Sequence, residues 1–225
     1  MPGAPPPPPQ AGPIPAPVPQ EPGRQDRSTT RSRARDAIVE IVTTVGLAIV
    51  LYLIITTFFV QTFRVEQHSM QNTLQPGEHL LIDKITPRFD DYSRGDIIVF
   101  YPQGRTDETP FIKRVIGEPG DDVRIAGGQV WINGVALDET AYTYPAPGEN
   151  EPTLPTSPTG TDEWLVPEGK LFVMGDHRQA STDSRRESVG FVDTADVVGR
   201  AWLAFFPLDK LGIVQVPAYP ELDGS

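Results

Sequence analysis

Twenty consecutive residues from Ile41 to Val60, IVTTVGLAIVLYLIITTFFV, carry no charge, and this run constrains the chain more than any other feature. As a helix rising ~1.5 Å per residue it would measure ~30 Å, the thickness of a bilayer hydrocarbon core. A soluble helix of that length would keep a polar face, and none is visible here. A cleaved secretory signal fits less well, because the stretch is longer than a signal core and lies behind a long preceding segment. The run predicts an uncleaved transmembrane helix over 37–60.

Residues 1–36 differ in character. They open Met-Pro-Gly-Ala, run through Pro5 to Pro9 and offer almost nothing to bury, which predicts a disordered proline-rich tail. Its end carries Arg24, Arg27, Arg31, Arg33 and Arg35, whereas Arg64 is the only basic residue in the first stretch after the apolar run. The positive-inside rule then places the tail in the cytoplasm and the residues after 60 outside, as in a single-pass protein of the cell membrane.

The formal net charge is -11, and the acidity lies almost wholly after the span. A nucleic-acid partner would call for a basic footprint, so none is expected. The chain has no cysteine, which removes both a disulfide framework and a thiolate nucleophile. His68, His79 and His177 are dispersed and fall in no ligand pattern, so neither a metal nor another cofactor is expected.

From residue 61 the pattern turns to short β-rich runs: 79–85, 96–101, 111–116, 122–125, 129–132 and 170–174. Turn signals separate them, among them Pro76-Gly77, Arg94-Gly95, Pro119-Gly120, Gly127-Gly128 and Asn133-Gly134. The expectation is a mainly β, antiparallel domain over 61–217, a sandwich or partly open barrel, behind one N-terminal transmembrane helix. Residues 138–163, rich in Pro, Thr and Glu, read as a long loop or small subdomain, and 218–225 as a C-terminal tail.

Three clusters could carry chemistry. The first, Val65-Glu66-Gln67-His68-Ser69-Met70-Gln71-Asn72-Thr73-Leu74, follows closely on the membrane helix. If it is extended, Gln67 and Ser69 share a face and His68 points away, so the adjacent histidine is a poor base for the serine. The second is Phe111-Ile112-Lys113-Arg114-Val115-Ile116, where a lysine in an apolar strand has Phe111 and Val115 as face-mates. Burial there would lower its pKa; reaching ~7 from ~10.4 corresponds to roughly 4–5 kcal/mol. A neutral amine of that kind can take a proton from a serine hydroxyl. Arg114, on the opposite face, suits a permanent ion pair. The third cluster, Gly175-Asp176-His177-Arg178 with Ser181, Asp183, Ser184 and Arg185, packs hydroxyls, carboxylates and guanidiniums directly after an apolar run.

In order and context these clusters resemble the signature boxes of type I signal peptidases, the bacterial leader peptidases that use a Ser–Lys dyad. The boxes read Ser69-Met70-Gln71-Asn72-Thr73-Leu74, then Arg94-Gly95-Asp96-Ile97-Ile98-Val99-Phe100, then Ile112-Lys113-Arg114-Val115-Ile116-Gly117, then Gly175-Asp176-His177-Arg178 with its following Ser181, Asp183, Ser184 and Arg185. The resemblance covers roughly residues 38–207. It implies a β-rich outer fold and a membrane-bound serine endopeptidase that cleaves signal peptides from exported preproteins after small residues in an Ala-x-Ala-like pattern. Ser69 is then the nucleophile and Lys113 the general base. Ser181 matches a serine that orients the lysine, and Asp183 with Arg185 matches a structural ion pair. Signal peptides, the bilayer and the neighbourhood of the export machinery are the implied partners. Lysine at 113 points to the bacterial branch.

The chain also departs from the pattern. Gln67-His68 stands where many members have Ser-Gly, so the side-chain donor two positions before Ser69 would be an amide, able to serve an oxyanion hole with the Ser69 N–H. Asn72 replaces a frequent proline and His177 a frequent asparagine. Two rival readings remain at this point. A self-cleaving repressor-type Ser–Lys peptidase shares the dyad, but such proteins are soluble. A non-catalytic membrane-anchored β domain binding cell-envelope partners leaves Ser69 and Lys113 without a purpose.

Overall fold

The computed structural model describes residues 27–54, 60–106, 109–144 and 163–222. It divides the chain into a helical unit up to Ala48 and a β-rich unit from Ile49 onward.

Helix α1 spans Arg27–Ile54, and its stretch Arg35–Ile54 is long and apolar enough to cross a membrane. Val45, Leu47, Leu51 and Leu53 are exposed on different sides of it, as expected of a helix whose solvent is lipid. The helix begins at Arg27, within the segment read from sequence as tail. Arginine and alanine are good helix formers, so the charged turns continue the apolar ones. Residues 1–26 of that tail lie outside the described residues. At the other end Val60 already belongs to a strand, so the helical span stops short of the expected 60.

The described residues of the β-rich unit form twelve strands: β1 Val60–Arg64, β2 His79–Asp83, β3 Ile97–Phe100, β4 Phe111–Gly117, β5 Asp122–Ala126, β6 Gln129–Ile132, β7 Val135–Ala136, β8 Glu163–Leu165, β9 Lys170–Met174, β10 Val192–Asp193, β11 Val197–Phe206 and β12 Gly212–Ile213. These strands pair antiparallel throughout. The large sheet runs β1-β2-β11-β3-β4-β9-β10 with β12 on β11, and a smaller one runs β7-β6-β5-β8. The architecture is the expected mainly β one.

Strand β3 explains why the sheet can bury a charged neighbour. Its four residues, Ile-Ile-Val-Phe, are all buried. Ile97 and Val99 enter one core with Met70, Leu74, Leu80 and Ile82, while Ile98 and Phe100 enter another with Val115, Leu171 and Val173. A strand covered on both faces has no polar alternation, hence the continuous apolar run. Lys113 of β4 pairs directly with Ile98 of this strand. A third core, with Val123, Ile125, Val130, Ile132 and Phe172, fills the smaller sheet.

The two segments set apart from sequence are partly integrated. Residues 138–144 pack on the domain, with Tyr142 buried; 145–162, the rest of the expected loop or subdomain, lie outside the described residues. Residues 218–222 are also tied down. The Glu221 carboxylate accepts from the Asp138 N–H at 2.8 Å, and Tyr219 and Leu222 pack against the third core.

Candidate active site

The segment around Ser69 is not extended, as the alternation argument assumed, but a 3-10 turn, His68–Met70. Met70 and Leu74 are its anchors, both buried in the first core, and the Leu74 N–H closes on the Met70 carbonyl at 2.8 Å. Both anchors follow Ser69, and their burial fixes the turn that presents it. Its carbonyl accepts a hydrogen bond from the His177 N–H at 3.0 Å. Thr73 Oγ1 donates to Asp176 Oδ2 at 2.5 Å, so the loop is tied twice to the segment after β9. Gln67 precedes the turn in extended conformation and its side chain is exposed.

Lys113 is fully buried. Its Nζ donates to Ser69 Oγ at 2.8 Å and to the Ile112 carbonyl at 3.0 Å, and lies 5.1 Å from the centre of the Phe111 ring. Burial pulls the ammonium pKa down from 10.5 to about 8, against the smaller opposing pull of Asp183 and Asp176. Those two carboxylates are already committed. Asp176 receives Arg114 Nε at 2.9 Å and Nη2 at 2.8 Å, the fork geometry that a permanent guanidinium favours. Asp183 receives Arg185 Nε at 2.8 Å and Nη2 at 2.9 Å, with the Gly175 N–H at 3.1 Å. Burial alone would raise the Asp183 carboxyl, yet the Arg185 bonds hold it below the ordinary carboxylate range.

Ser181 is buried beside this group. Its Oγ makes no well-formed hydrogen bond with any described residue, though it lies near enough to the Asp183 carboxylate to help keep it ionised. Lys113 Nζ does not hydrogen-bond to it.

In front of Ser69 opens a cavity of ≈ 420 Å³ bordered by Phe63, Arg64, Gln67, Met70, Tyr101 and Ile112. Its walls come from β1, from the Ser69 turn and the residues before it, from Tyr101 just after β3 and from the start of β4. The structure therefore brings together Ser69, Lys113, Ser181, Asp183 and Arg185, with Gln67 on the rim. No group of three or more His, Cys, Asp or Glu suited to a metal occurs among the described residues.

Sequence reasoning named Arg114 and Arg178 but passed over the residues that hold them from a second ring, Glu139 and Tyr142. Arg178 forks onto Glu139 at 2.6 and 2.5 Å, Glu139 Oε1 accepts from the Tyr142 hydroxyl at 3.0 Å, and the Arg114 guanidinium stacks 4.3 Å over the Tyr142 ring. Glu139 and Tyr142 sit within the Pro- and Thr-rich stretch, where no local pattern marks them.

The family described as "Signal peptidase, peptidase S26" matches residues 38–206. The chain is similar to a signal peptidase I of Leptolyngbya laminosa, 35% identical over 208 residues covering 90% of this chain and 96% of that one. It is also similar to a signal peptidase I of Bacillus licheniformis, 34% identical over 187 residues covering 83% and 97% of the two chains. Among solved structures, a signal peptidase I from Enterococcus faecalis aligns with a TM-score of 0.39 at 37% identity, covering 49% of this chain and 97% of that one. The chain belongs to the signal peptidase family, peptidase S26.

Proposed function

We propose that this chain is a membrane-anchored serine endopeptidase that removes signal peptides from exported preproteins, with Ser69 as nucleophile and Lys113 as general base. Family membership supports the cleavage of signal peptides. The observation that carries the dyad is the 2.8 Å contact between a fully buried lysine amine and a serine hydroxyl. That distance is within reach for direct proton transfer, and an amine titrating near neutrality is neutral often enough to accept the proton.

In the proposed cycle neutral Lys113 takes the Ser69 proton as Oγ attacks the scissile carbonyl. The resulting ammonium returns the proton to the departing amine, and the neutral amine then activates the water that opens the acyl-enzyme. The Ser69 N–H and the Gln67 side-chain amide are the proposed donors to the oxyanion. Asp183 with Arg185 stiffens the strand end behind the lysine, and Ser181 fills the space next to it. The cavity before Ser69 is the proposed seat for the small residues of an Ala-x-Ala-like sequence.

The arginines before the span support a cytoplasmic N-terminus and an extracytoplasmic catalytic unit. Trp202 and Phe206 of β11 are half exposed, and Leu208, Leu211 and Ile213 beyond it are exposed, an apolar face suited to a bilayer surface near the export machinery. Cleavage of a preprotein by the purified full-length protein in detergent tests the reading. Ser69→Ala and Lys113→Ala should each abolish turnover while the fold persists, and normal cleavage by Lys113→Ala refutes the dyad.

A further inference from the structure

We propose that the segment following β11, acting through Tyr219, positions the Ser69–Lys113 pair by bracing the side chains that hold both residues in place. The inference rests on the dyad reading above and extends it to a part of the chain beyond the residues that match the family.

After β11 the chain does not leave the domain. It turns back to pair as β12 with Leu203 and Ala204, and the Val214 N–H bonds to the Trp202 carbonyl at 2.9 Å. It then crosses Gly95 closely. A Cβ at Gly95 would stand 3.1 Å from both Pro217 and Val216 and 3.2 Å from the Tyr219 ring, at a backbone φ of +91° that side-chain-bearing residues rarely adopt. Gly95 also matters chemically, because its carbonyl accepts Arg114 Nη1 at 2.7 Å. The segment after β12 thus packs closely over the residue whose carbonyl holds the guanidinium of Arg114, the sequence neighbour of Lys113.

Tyr219 provides the second link. Its ring meets that of Tyr142 edge-on, with centroids 6.5 Å apart at 85°, and its hydroxyl donates to the Tyr142 oxygen at 3.2 Å. The Tyr142 hydroxyl in turn donates a hydrogen bond to Glu139 Oε1 at 3.0 Å. Burial raises Tyr142 well above the usual phenol value and Tyr219 to about 12, so both remain donors throughout the working range. Glu139 grips Arg178, whose Nε donates to the Gly175 carbonyl at 2.9 Å. Tyr142 meanwhile supports the face of Arg114, which is forked onto Asp176.

Both branches converge on Gly175-Asp176-His177. From this segment the His177 N–H holds the Ser69 carbonyl, Asp176 holds Thr73, and the Gly175 N–H holds Asp183. A displaced Tyr219 would loosen the support of the nucleophile turn without touching the reacting atoms, and small misplacements of reacting groups are costly. Tyr219 is accordingly a positioning residue.

The test uses the full-length protein in detergent micelles and a peptide with an apolar segment followed by an Ala-x-Ala site. Tyr219→Ala should lower kcat about tenfold and Tyr219→Phe about threefold, with KM changed less than about twofold. Exchange of the His177 amide, followed by hydrogen–deuterium exchange, should quicken in Tyr219→Ala and less so in Tyr219→Phe, while that of Phe172 in β9 stays as in the parent. Parental kcat together with parental His177 exchange in Tyr219→Ala overturns the proposal. So does a loss of kcat that merely follows the folded fraction measured by circular dichroism. If the parent leaves the peptide uncut, or Ser69→Ala cuts it normally, the dyad reading fails on its own, and His177 exchange still decides whether Tyr219 braces the turn.

Discussion

Suppose the pH of a cleavage assay is raised from 6 to 10 and kcat/KM is followed on a peptide with no group titrating in that window. Lys113 is drawn from 10.5 to about 8 by burial. With that value about a tenth of the molecules hold a neutral amine at pH 7 and about nine tenths at pH 9, so kcat/KM should rise about tenfold and then level off. The free-energy equivalent of moving the amine from 10.5 to about 8 is about 3 kcal/mol, a plausible desolvation cost for a lysine with no exposed surface. An ordinary lysine behaves differently: the rise between pH 7 and 9 would be about a hundredfold and no plateau would appear before pH 10. Initial rates read by chromatography at fixed ionic strength separate the two curves, because kcat/KM reports groups of the free enzyme. A flat profile, or one still climbing in proportion to hydroxide at pH 10, refutes the argument that burial prepares this amine as a base.

Two further outcomes follow from the same geometry. The folded-state value of Lys113 lies below its unfolded value, so below pH 8 the native state carries a buried charge and between about 8 and 10.5 that burden is lost as pH rises. Lys113→Met should therefore be inactive yet more resistant to urea, by up to about 3 kcal/mol at pH 7, with the advantage vanishing toward pH 10.5; tryptophan fluorescence melts at the two pH values check it. Gly175→Ala places a Cβ against Ser181 Oγ and the Ser69 carbonyl, so it should destabilise by about 1–3 kcal/mol and reduce kcat by about a hundredfold, read by thermal melting and by the peptide assay.

Local chemistry made much of this visible before any coordinates. The starts of β2, β4, β6 and β9 fall where the β-rich runs begin, since their turn residues are the usual ones and their apolar content is dense. Lys113 stood out because a cation inside an apolar strand is anomalous wherever the strand lies. The Ser69 turn did not, because its shape comes from contacts with Met70 and Leu74 in a distant core and with His177 more than a hundred residues away. No window of sequence contains those partners. Glu139, Tyr142 and Tyr219 were hidden for the opposite reason: they sit in segments whose composition reads as loop and tail, and only the folded chain joins them to Arg178 and Arg114.

The distribution of buried charge makes the case for which group titrates. Among the described residues, four cationic side chains are buried: Lys113, Arg114, Arg178 and Arg185. Each arginine faces a carboxylate, Asp176, Glu139 and Asp183 respectively, and the guanidinium is protonated at any working pH. Each of these pairs is nearly neutral from a few ångströms away, so little of the carboxylates' field is left to hold the fourth cation, Lys113, ionised. Lys113 is given a hydroxyl, a peptide carbonyl and the edge of a hydrophobic core instead, contacts that cannot repay the desolvation of an ammonium. An amine in that position releases its proton more easily than the neighbouring guanidinium of Arg114 does. The three arginine–carboxylate pairs thus fix the frame, and by neutralising one another they leave Lys113 as the buried cation whose charge can change within the range where peptides are cut.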